Sequence, residues 1–460
     1  MPYVLLRQIR RFRRIRTSTL ALAILGTLLE GLWLVLRTYE PLRRHVVETI
    51  ILYVLASLVY MISAWVVLQQ GASEGRVRLW LVGAFALLFR LTVWPLFPAL
   101  SDDVFRYRWE GKVQVHGGNP YQVRPNDPAW AQLRDATFSL IPGRDFRAGY
   151  GPLLEQAQAW TYRAASALTA DPYRQAFWFK APAALFDLGV MLALTWLLRL
   201  RGLPCERLLL YAWSPLSVME FWGTGHNDAV PVCFVVVALA LAARQRPTAA
   251  FASLSLAAAA KLWPLVLFPA FAGFGKSSRL GGRHAWPLLP VFFVLWWPYR
   301  SDVEENLRFM TGFVGGWRNN DSLFGLLLWL AGDLYRAKYT AFAMIAAVAV
   351  LAAWRCGTLE KASLVTITAL LMISANVHPW YLTWLLPLLA FYPVPALLLW
   401  TALVPLAYQT VIAWLELGEW RGSTPDRWWI YGPVYGMLVG SWLARRIRTP
   451  RPPSPSPARP

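Results

Sequence analysis

The sequence predicts an all-α protein with many membrane-spanning segments, and its composition gives the first support. Hydrophobic residues make up 57% of the 460-residue chain and charged residues only 15%, whereas about a quarter of a typical soluble domain is charged. The mean hydropathy is +0.39. Apolar runs of roughly 20 residues, long enough to cross a bilayer as one helix, recur along most of the chain. We expect about 12–14 membrane segments, some of them short and broken.

Each span is predicted from the point where an apolar run begins and ends. The first run follows the basic stretch RQIRRFRRIR without a short apolar core and a small-residue cleavage site. We therefore interpret it as a retained span and not as a signal peptide. The predicted spans are residues 18–37, 47–69, 79–100, 176–200, 206–222, 227–244, 285–300, 337–354, 362–376, 381–392, 394–415 and 429–444.

The apolar stretch 248–272 differs from the others because Lys261 and Pro264 lie at its centre. A single straight helix would place a charged lysine at mid-membrane, which is costly. Two short helices that meet at Lys261 avoid this cost. With the N-terminal arginines in the cytoplasm, this broken hairpin also puts most other basic segment ends on the cytoplasmic side. The exception is RTYEPLRRH, residues 37–45, which falls outside with three arginines.

The charge balance indicates which partners the protein contacts, and the cysteines indicate whether it holds disulfides or zinc. The formal net charge is +20, but much of the basic charge lies at segment ends, where it orients the protein and contacts anionic lipids. We therefore predict membrane lipids as partners and no nucleic acid. Cys205, Cys233 and Cys356 lie in or beside predicted spans without a CxxC pair, so neither a disulfide framework nor a zinc site is predicted.

The chain is predicted to form one transmembrane domain over residues 1–445, followed by a disordered Pro/Arg-rich cytoplasmic tail over 446–460. Both termini are then cytoplasmic, and four polar stretches face outward: 101–175, 223–228, 301–336 and 376–381. The first is too long for a simple connector, which indicates a function. Its pattern predicts one helix after Ser101 and another near 153–168.

Two adjacent acids, Asp102 and Asp103, follow the third predicted span directly. One interpretation is a helix start, with Ser101 as N-cap and the acids favoured by the helix dipole. At helical spacing, however, Asp103, Arg106 and Glu110 share one face. An acid pair beside cations at a membrane boundary also suits proton abstraction or cation binding.

Further polar residues fall in or beside the same outer stretches. Each has a simpler interpretation as a turn residue, a helix cap, a snorkelling lysine or a member of an aromatic belt. Together, on one side of the membrane, they describe a site for a polar, anionic headgroup attached to a lipid. These residues are Asn119, Tyr121, Tyr150, His226, Asn227, Asp228, Lys261, Asp321 and His378.

Six motifs in this order resemble those of the GT-C membrane glycosyltransferases: SDDVFRYRWEGKVQVHGGNPY, GYGPLLE, SPLSVMEFWGTGHNDA, KLWPLVLFP, NNDSLFG and HPWYLTWLLPL, over roughly residues 80–395. The sequence looks closest to the bacterial polyprenyl-phosphate-mannose-dependent mannosyltransferases. It is more distantly similar to the eukaryotic enzyme that adds the first mannose of the GPI anchor. That enzyme separates its two acids by one residue, whereas Asp102 and Asp103 are adjacent, so the resemblance leaves open which of them is the base.

The resemblance implies a GT-C fold with amphipathic helices in the first outer loop and an active site on the outer face of a bacterial inner membrane. It also implies a polyprenyl-phosphate-linked sugar donor, a glycan or glycolipid acceptor and inversion at the anomeric carbon. Inverting transfer needs one base, Asp102 or Asp103. The departing lipid phosphate needs cations, for which Lys261, His378 and Arg106 are candidates. The residues expected to bind substrate are Glu110, Asn119, Tyr121, Tyr150, His226, Asn227, Asp228 and Asp321.

Two alternatives stay open at this point. A transporter or flippase of lipid-linked sugars would explain charge at membrane depth, but it predicts internal duplication and polar residues along both halves of a path. An enzyme of the same fold with an arabinosyl or glucosyl donor is the other, although mannose is the first expectation. The adjacent acids also suit a divalent metal ion, but spacing fixes no further ligand, so we assign no metal residues and no certain cofactor.

Overall fold

The protein is almost entirely helical in the computed structural model, which describes residues 2–69, 75–273, 280–301, 318–417 and 424–448. Over these ranges there is no β-strand, and the only strand-like contact is an isolated bridge between Asn319 and Asn376. The predicted all-α fold class is confirmed.

Within the described ranges, five helices are long and apolar enough to cross a membrane. Their surfaces expose large apolar side chains, including Trp65, Leu192 and Phe342, which are 62%, 74% and 73% exposed. Such a surface suits lipid contact, and the prediction of a polytopic membrane protein is confirmed. The number of 12–14 segments stays a prediction. The five spans are Ser18–Arg37, Val46–Leu68, Pro172–Leu200, Leu334–Arg355 and Pro395–Glu416.

Many of the remaining helices are short, and several begin at a proline, which is favoured in the first helical turn. The last helix runs three residues beyond the predicted domain end at 445, and residues 449–460 of the predicted tail lie outside the described ranges. The α-helices are Pro2–Arg37, Val46–Leu68, Gly75–Val93, Asp103–Val115, Pro152–Leu168, Pro172–Trp178, Lys180–Leu200, Leu209–Ala212, Pro215–Val218, Ala229–Ala243, Pro247–Ala260, Phe268–Phe271, Leu288–Trp296, Leu323–Ala331, Leu334–Arg355, Leu359–Ile373, Leu386–Leu389, Pro395–Leu403, Gln409–Leu417 and Thr424–Arg448.

The predicted break in the stretch 248–272 is confirmed. The helix Pro247–Ala260 ends at Lys261, whose backbone is extended (φ −143°, ψ 148°), and the chain continues as the 3₁₀ turn Trp263–Leu267. Gly151 donates its N–H to the carbonyl oxygen of Ala260 at 2.9 Å. A Cβ at Gly151 would lie 2.1 Å from the carbonyl oxygen of Ala259. Glycine at position 151 therefore lets the long loop, residues 101–175, pack against the helix end at Ala260.

The two helices predicted in the long loop are present as Asp103–Val115 and Pro152–Leu168. The second is amphipathic, because it buries Leu154 but leaves Trp160 67% exposed. The first differs from the amphipathic surface helix that the resemblance implies, since its polar and apolar faces are both largely buried. It is an internal part of the loop.

The stretch 301–336 was expected to be an outer polar segment, but its described part contains the nine-residue apolar helix Leu323–Ala331. This helix leaves Trp329 and Leu330 more than 60% exposed and ends at Gly332, which has a positive φ of 64°. The run is too short to be recognised as a span from its length. Residues 302–317 lie outside the described ranges.

Ion pairs show which segment ends lie together. Arg43, in the loop after the first span, is 2.6 Å from Asp102 at the start of the long loop. At the opposite ends of the helices Val46–Leu68 and Gly75–Val93, Arg78 is 2.9 Å from Glu206. Arg43 is one of the three arginines in residues 37–45, which the predicted topology places on the outer side although most basic segment ends are cytoplasmic. Asp102 is its ion-pair partner.

Candidate active site

The two adjacent acids have different surroundings. Asp102 is the closed acid, because both of its carboxylate oxygens already accept hydrogen bonds within the protein. Arg43 donates from Nη1 to Oδ1 at 2.7 Å and from Nη2 to Oδ2 at 2.6 Å. Asp102 occupies the N-cap position without using its carboxylate as a cap, while Ser101 Oγ accepts from the Asp103 N–H at 3.2 Å. Burial raises the pKa of the Asp102 carboxyl, and Arg43 opposes this shift. Both oxygens of Asp102 are engaged.

Asp103 is the more open acid, with its side chain 24% exposed. Its Oδ2 lies 3.3 Å from the Tyr107 hydroxyl, 3.5 Å from the Tyr150 hydroxyl and 3.9 Å from His226 Nε2. These contacts are at or beyond the long end of hydrogen-bond distances. The carboxylate can therefore still accept a proton from an approaching group.

His226 is buried beside Asp103 and held in a fixed orientation. Its Nδ1 lies 3.0 Å from Glu220 Oε2 and 2.7 Å from Thr224 Oγ1. The ring stacks on Trp380 with the centroids 3.8 Å apart. A π-helical turn, Met219–Gly223, brings Glu220 back towards the histidine. Two distant residues complete this environment, because the hydroxyls of Tyr53 and Tyr408 donate to Glu220 at 3.1 Å and 2.7 Å.

Lys261 lies at the broken helix end and is paired with Asp228. Lys261 Nζ is 2.6 Å from Asp228 Oδ2, and Trp384 Nε1 donates to the other oxygen at 2.8 Å. The ammonium group also lies over the rings of Tyr150 and Tyr381, at 5.2 Å and 5.8 Å from their centroids. Tyr150 therefore links the lysine to Asp103.

His378 lies on the far side of the same aromatic group. Its ring stacks on Trp380 at 4.3 Å and its Nδ1 is 3.2 Å from Asn319 Nδ2. Burial lowers the pKa of His378 to about 3, and His226 and Lys261 act in the same direction. His378 is therefore neutral near pH 7 and offers a hydrogen bond, not a positive charge.

Arg106 and Glu110 have their charged groups directed at each other. Arg106 Nε donates to Glu110 Oε1 at 2.5 Å, and its two terminal nitrogens donate to the carbonyl oxygens of Gly143 and Phe146. These contacts tie the helix Asp103–Val115 to the rest of the loop. The guanidinium predicted to contact donor phosphate is thus engaged within the protein.

Asn119 and Tyr121 also have supporting contacts. Asn119 Oδ1 accepts from the Tyr121 N–H at 3.0 Å, which closes the predicted turn. The fully buried Tyr121 donates its hydroxyl to the carbonyl oxygen of Tyr150 at 2.7 Å and stacks on Trp296. Tyr121 thereby fixes the backbone that carries Tyr150.

Asp321 lies between two arginines in a neighbouring part of the bundle. Its oxygens are 3.0 Å from Arg318 and 2.7 Å from Arg427, which comes from the last helix. The sequence did not single out Arg427, because nothing local connects it to Asp321. Asn227, beside His226, is buried, and neither atom of its side-chain amide has a hydrogen-bond partner within the described ranges.

The structure thus separates the predicted residues into connected groups. Asp103 stands at the centre of one group. The sequence could not assemble this group, because Tyr53, Tyr107, Trp380 and Tyr408 were not singled out, although Glu220 lies in the same motif as His226, SPLSVMEFWGTGHNDA. In the described part of the chain, no three His, Cys, Asp or Glu residues are grouped as a metal site would require. The predicted residues in this central group are Asp103, Tyr150, His226, Asp228, Lys261 and His378.

A lipid-exposed helical bundle that brings a half-open carboxylate, a histidine and a lysine together beside a long loop is consistent with a polytopic membrane glycosyltransferase. A family model described as alpha-(1->6)-mannopyranosyltransferase, N-terminal domain, matches residues 17–274, more than half of the chain. The chain therefore belongs to this family and is a mannosyltransferase, with a sugar donor and a glycan acceptor. The search of curated proteins found no match to it.

The family match decides between an enzyme and a transporter. The resemblance to GT-C mannosyltransferases and the prediction of an enzyme are confirmed, and the transporter interpretation is set aside. The matched range contains Asp103, His226 and Lys261 but ends before Asp321 and His378.

Proposed function

We propose that the protein transfers mannose from a polyprenyl-phosphate donor to an acceptor hydroxyl at the outer face of a bacterial plasma membrane, with Asp103 as general base. The observation that carries this proposal is the difference between the two adjacent acids. Asp102 is closed by a two-point contact with Arg43, whereas Asp103 keeps a partly exposed carboxylate with only long contacts.

The chemistry needs one base and an anionic leaving group. Asp103 takes the acceptor hydroxyl proton as the oxygen attacks the anomeric carbon. The bond to the lipid phosphate breaks, and its electron pair leaves with the phosphate, which is stabilised electrostatically. Such a displacement inverts the anomeric carbon. The family description names an alpha-(1->6) product, and inversion gives an α product only from a β-linked donor, so we propose a β-mannosyl donor.

The donor phosphate is placed by this proposal between Lys261 and His378. Lys261 supplies the positive charge, and it retains 13% side-chain exposure although Asp228 partly neutralises it. Neutral His378 supplies a hydrogen bond. Arg106 is left out of the phosphate site, because its nitrogens bond Glu110 and two loop carbonyls.

The sugar and the loop are held by the other predicted residues. We propose that Asn227 contacts sugar hydroxyls, because both atoms of its amide lack a partner within the described ranges. Tyr150 bridges Asp103 and Lys261. The remaining predicted residues, Glu110, Asn119, Tyr121 and Asp321, support the site through their contacts inside the protein.

Transfer assays with purified enzyme in detergent test the donor. Polyprenyl-phosphate mannose in β and α forms, and the corresponding glucosyl and arabinosyl lipids, would be offered with candidate glycan acceptors and the products read by mass spectrometry. We expect transfer from the β-mannosyl lipid. Transfer only from a nucleotide sugar, or from the α-linked lipid, would contradict the proposed donor.

Cysteine labelling in whole cells tests the sidedness, in a variant without the three native cysteines. A cysteine at the exposed Asn126 should react with a membrane-impermeant reagent from outside. A cysteine at Ser456 should react only after permeabilisation. Labelling of both positions from the same side would overturn the outer placement of the site.

A further inference from the structure

His226 lies between the proposed base and a second buried carboxylate. Its Nε2 faces Asp103 Oδ2 at 3.9 Å, and its Nδ1 faces Glu220 Oε2 at 3.0 Å. We propose that His226 is the positioning residue of Asp103 and receives the proton that Asp103 takes from the acceptor. This inference rests on the proposed function, because it requires Asp103 to be the base.

The orientation of the imidazole is set by its neighbours. The Thr224 hydroxyl lies 2.9 Å from the carbonyl oxygen of Glu220, to which it can donate, so its oxygen can accept from the N–H at Nδ1 of His226. The backbone N–H of His226 donates to the same carbonyl at 2.8 Å, and Trp380 covers one face of the ring. With Nδ1 protonated, the lone pair of Nε2 points towards Asp103.

Nε2 is the one ring position left open. His226 is 1% exposed, and within the described ranges Nε2 has no hydrogen-bond partner. A buried polar atom without a partner is unfavourable and needs an explanation. Asp103 provides one, because it is nearby and partly exposed. If its carboxyl oxygen moved closer, it would form a hydrogen bond with Nε2.

The distance of 3.9 Å suits a contact that forms during the reaction. A lone pair on Nε2 repels an ionised carboxylate but accepts a hydrogen bond from a protonated one. Asp103 therefore makes no bond to Nε2 until it takes the acceptor proton, and the new O–H then bonds Nε2. Catalytic contacts are often long without substrate and shorten in the reacting complex.

The proton can be followed through each bond. The acceptor O–H bond breaks and an O–H bond forms on Asp103, while the glycosidic bond forms and the phosphate leaves with the electron pair. The proton then moves to His226 Nε2, and Glu220 stabilises the resulting imidazolium through Nδ1, as a carboxylate does in related dyads. The hydroxyls of Tyr53 and Tyr408 donate to Glu220, and the proton leaves to water after product release.

Several other charged or titratable groups surround Asp103 and His226 and would contribute to the pH dependence of the reaction. Lys180 packs its side chain near Gly225 and directs Nζ to the carbonyl oxygens of Trp94 and Leu96. The groups that interact with His226 itself are Asp103, Glu220 and His378, and those around its neighbouring residues are Tyr53, Lys180, Asp228 with Lys261, and Tyr408.

The test compares His226→Gln and His226→Asn with the wild type in donor titrations at several pH values. We expect either change to lower kcat by about 10- to 100-fold with the donor KM altered by less than about twofold, because a proton acceptor is lost but no donor contact. The wild type should lose activity as the pH falls, because the transfer needs an unprotonated base. In both variants this acid limb should move to lower pH. The exposed His116→Gln is the matched control and should change neither kcat nor the pH profile.

Glu220→Gln gives a second measurement if the His226 variants fold poorly in detergent. It should lower kcat and move the same acid limb, because a neutral amide stabilises the imidazolium less than a carboxylate. Wild-type kcat and acid limb in these variants would overturn the proposal, as would lost activity with an unchanged limb and a raised donor KM. Asp103→Asn distinguishes a failure of the proposed function from a failure of the inference about His226. If this variant keeps near wild-type turnover, the proposed base itself is wrong. If it is inactive while His226→Gln matches the wild type, only the role of His226 fails.

Discussion

Two buried ionic clusters differ in how completely their polar atoms are bonded. In the membrane-spanning part, Arg90 donates from Nε to Asp187 Oδ2 at 2.5 Å and from Nη1 to two backbone carbonyls. Asp187 also accepts from the Tyr211 hydroxyl at 2.5 Å and from Trp222 Nε1 at 2.9 Å. In the cluster around Asp103, the carboxylate has only long contacts among the described residues, and His226 Nε2 has no hydrogen-bond partner there.

The comparison teaches how to separate structural charge from a site. Buried polar groups in a stable protein are almost all bonded, so a fully bonded pair such as Arg90 and Asp187 needs no function to explain it. A buried or half-buried group that lacks partners is unfavourable unless a substrate or a reaction step completes it. This criterion supports our proposal that the active site lies at Asp103 and His226.

The largest expected effect comes from Asp103→Asn. Loss of the general base should lower turnover by about 10²–10⁴-fold, with little change in thermal stability, because Asp103 makes only long contacts. Initial rates and thermal unfolding in detergent would be measured together. The adjacent Asp102→Asn is the matched control: it leaves Arg43 without its carboxylate and should lower stability by about 1–3 kcal/mol while most turnover per folded molecule remains. The reverse pattern would mean that Asp102 is the base.

The closed cluster of Arg90 and Asp187 should respond in the opposite way: a substitution there should reduce stability and not turnover. Asp187→Asn leaves the Arg90 charge uncompensated inside the bundle, and breaking a buried ion pair in this way costs roughly 3–5 kcal/mol. We expect a large loss of thermal stability and near-normal turnover of the molecules that remain folded. A stable but inactive Asp187→Asn would show that bond completeness does not separate structure from function here.

Much of the fold could be predicted from the sequence, because local patterns determine it. The break at Lys261 follows from the cost of a charge at mid-membrane, and the helix beginning at Pro152 follows from the preference for proline at a helix start. The helix Leu323–Ala331 was missed because nine apolar residues between polar segments give no length signal.

Less of the candidate site could be predicted, since its contacts join distant positions. Tyr53 and Tyr408 reach Glu220 across 167 and 188 residues of sequence. The choice between Asp102 and Asp103 likewise depends on Arg43, which lies 59 residues before Asp102. No periodicity or spacing connects such residues, so only the folded chain separates the closed acid from the open one.

Lys261→Met tests the intermediate case, a cation that is paired but still partly exposed. We expect a higher donor KM and a lower kcat, together about 2–4 kcal/mol in kcat/KM, because a cation at the leaving phosphate is lost. Among the described residues, the variant also leaves Asp228 buried with Trp384 as its one remaining side-chain partner. The double variant with Asp228→Asn removes that charge. If it recovers wild-type kcat/KM, Lys261 only neutralises Asp228.

The smallest expected effect comes from a closed cluster within the long loop itself. Asp135 accepts hydrogen bonds from Arg108, Lys112 and Thr137. Burial disfavours its charge, but these bonds outweigh burial and hold the pKa of the Asp135 carboxyl below its ordinary value. Asp135→Asn should therefore lower stability at neutral pH by about 1–2 kcal/mol, since the 22% exposed side chain is partly screened by water.

The pH dependence follows from the direction of this shift. A lowered pKa in the folded state stabilises the protein above the unfolded-state value of about 3.9, and the contribution is lost as the pH falls through the lower folded-state pKa. The difference in thermal stability between the wild type and Asp135→Asn should thus be constant near neutral pH and shrink in strong acid. Turnover at neutral pH should be unchanged. A difference that grows on acidification, or a loss of turnover without a loss of stability, would place Asp135 with the open cluster around Asp103.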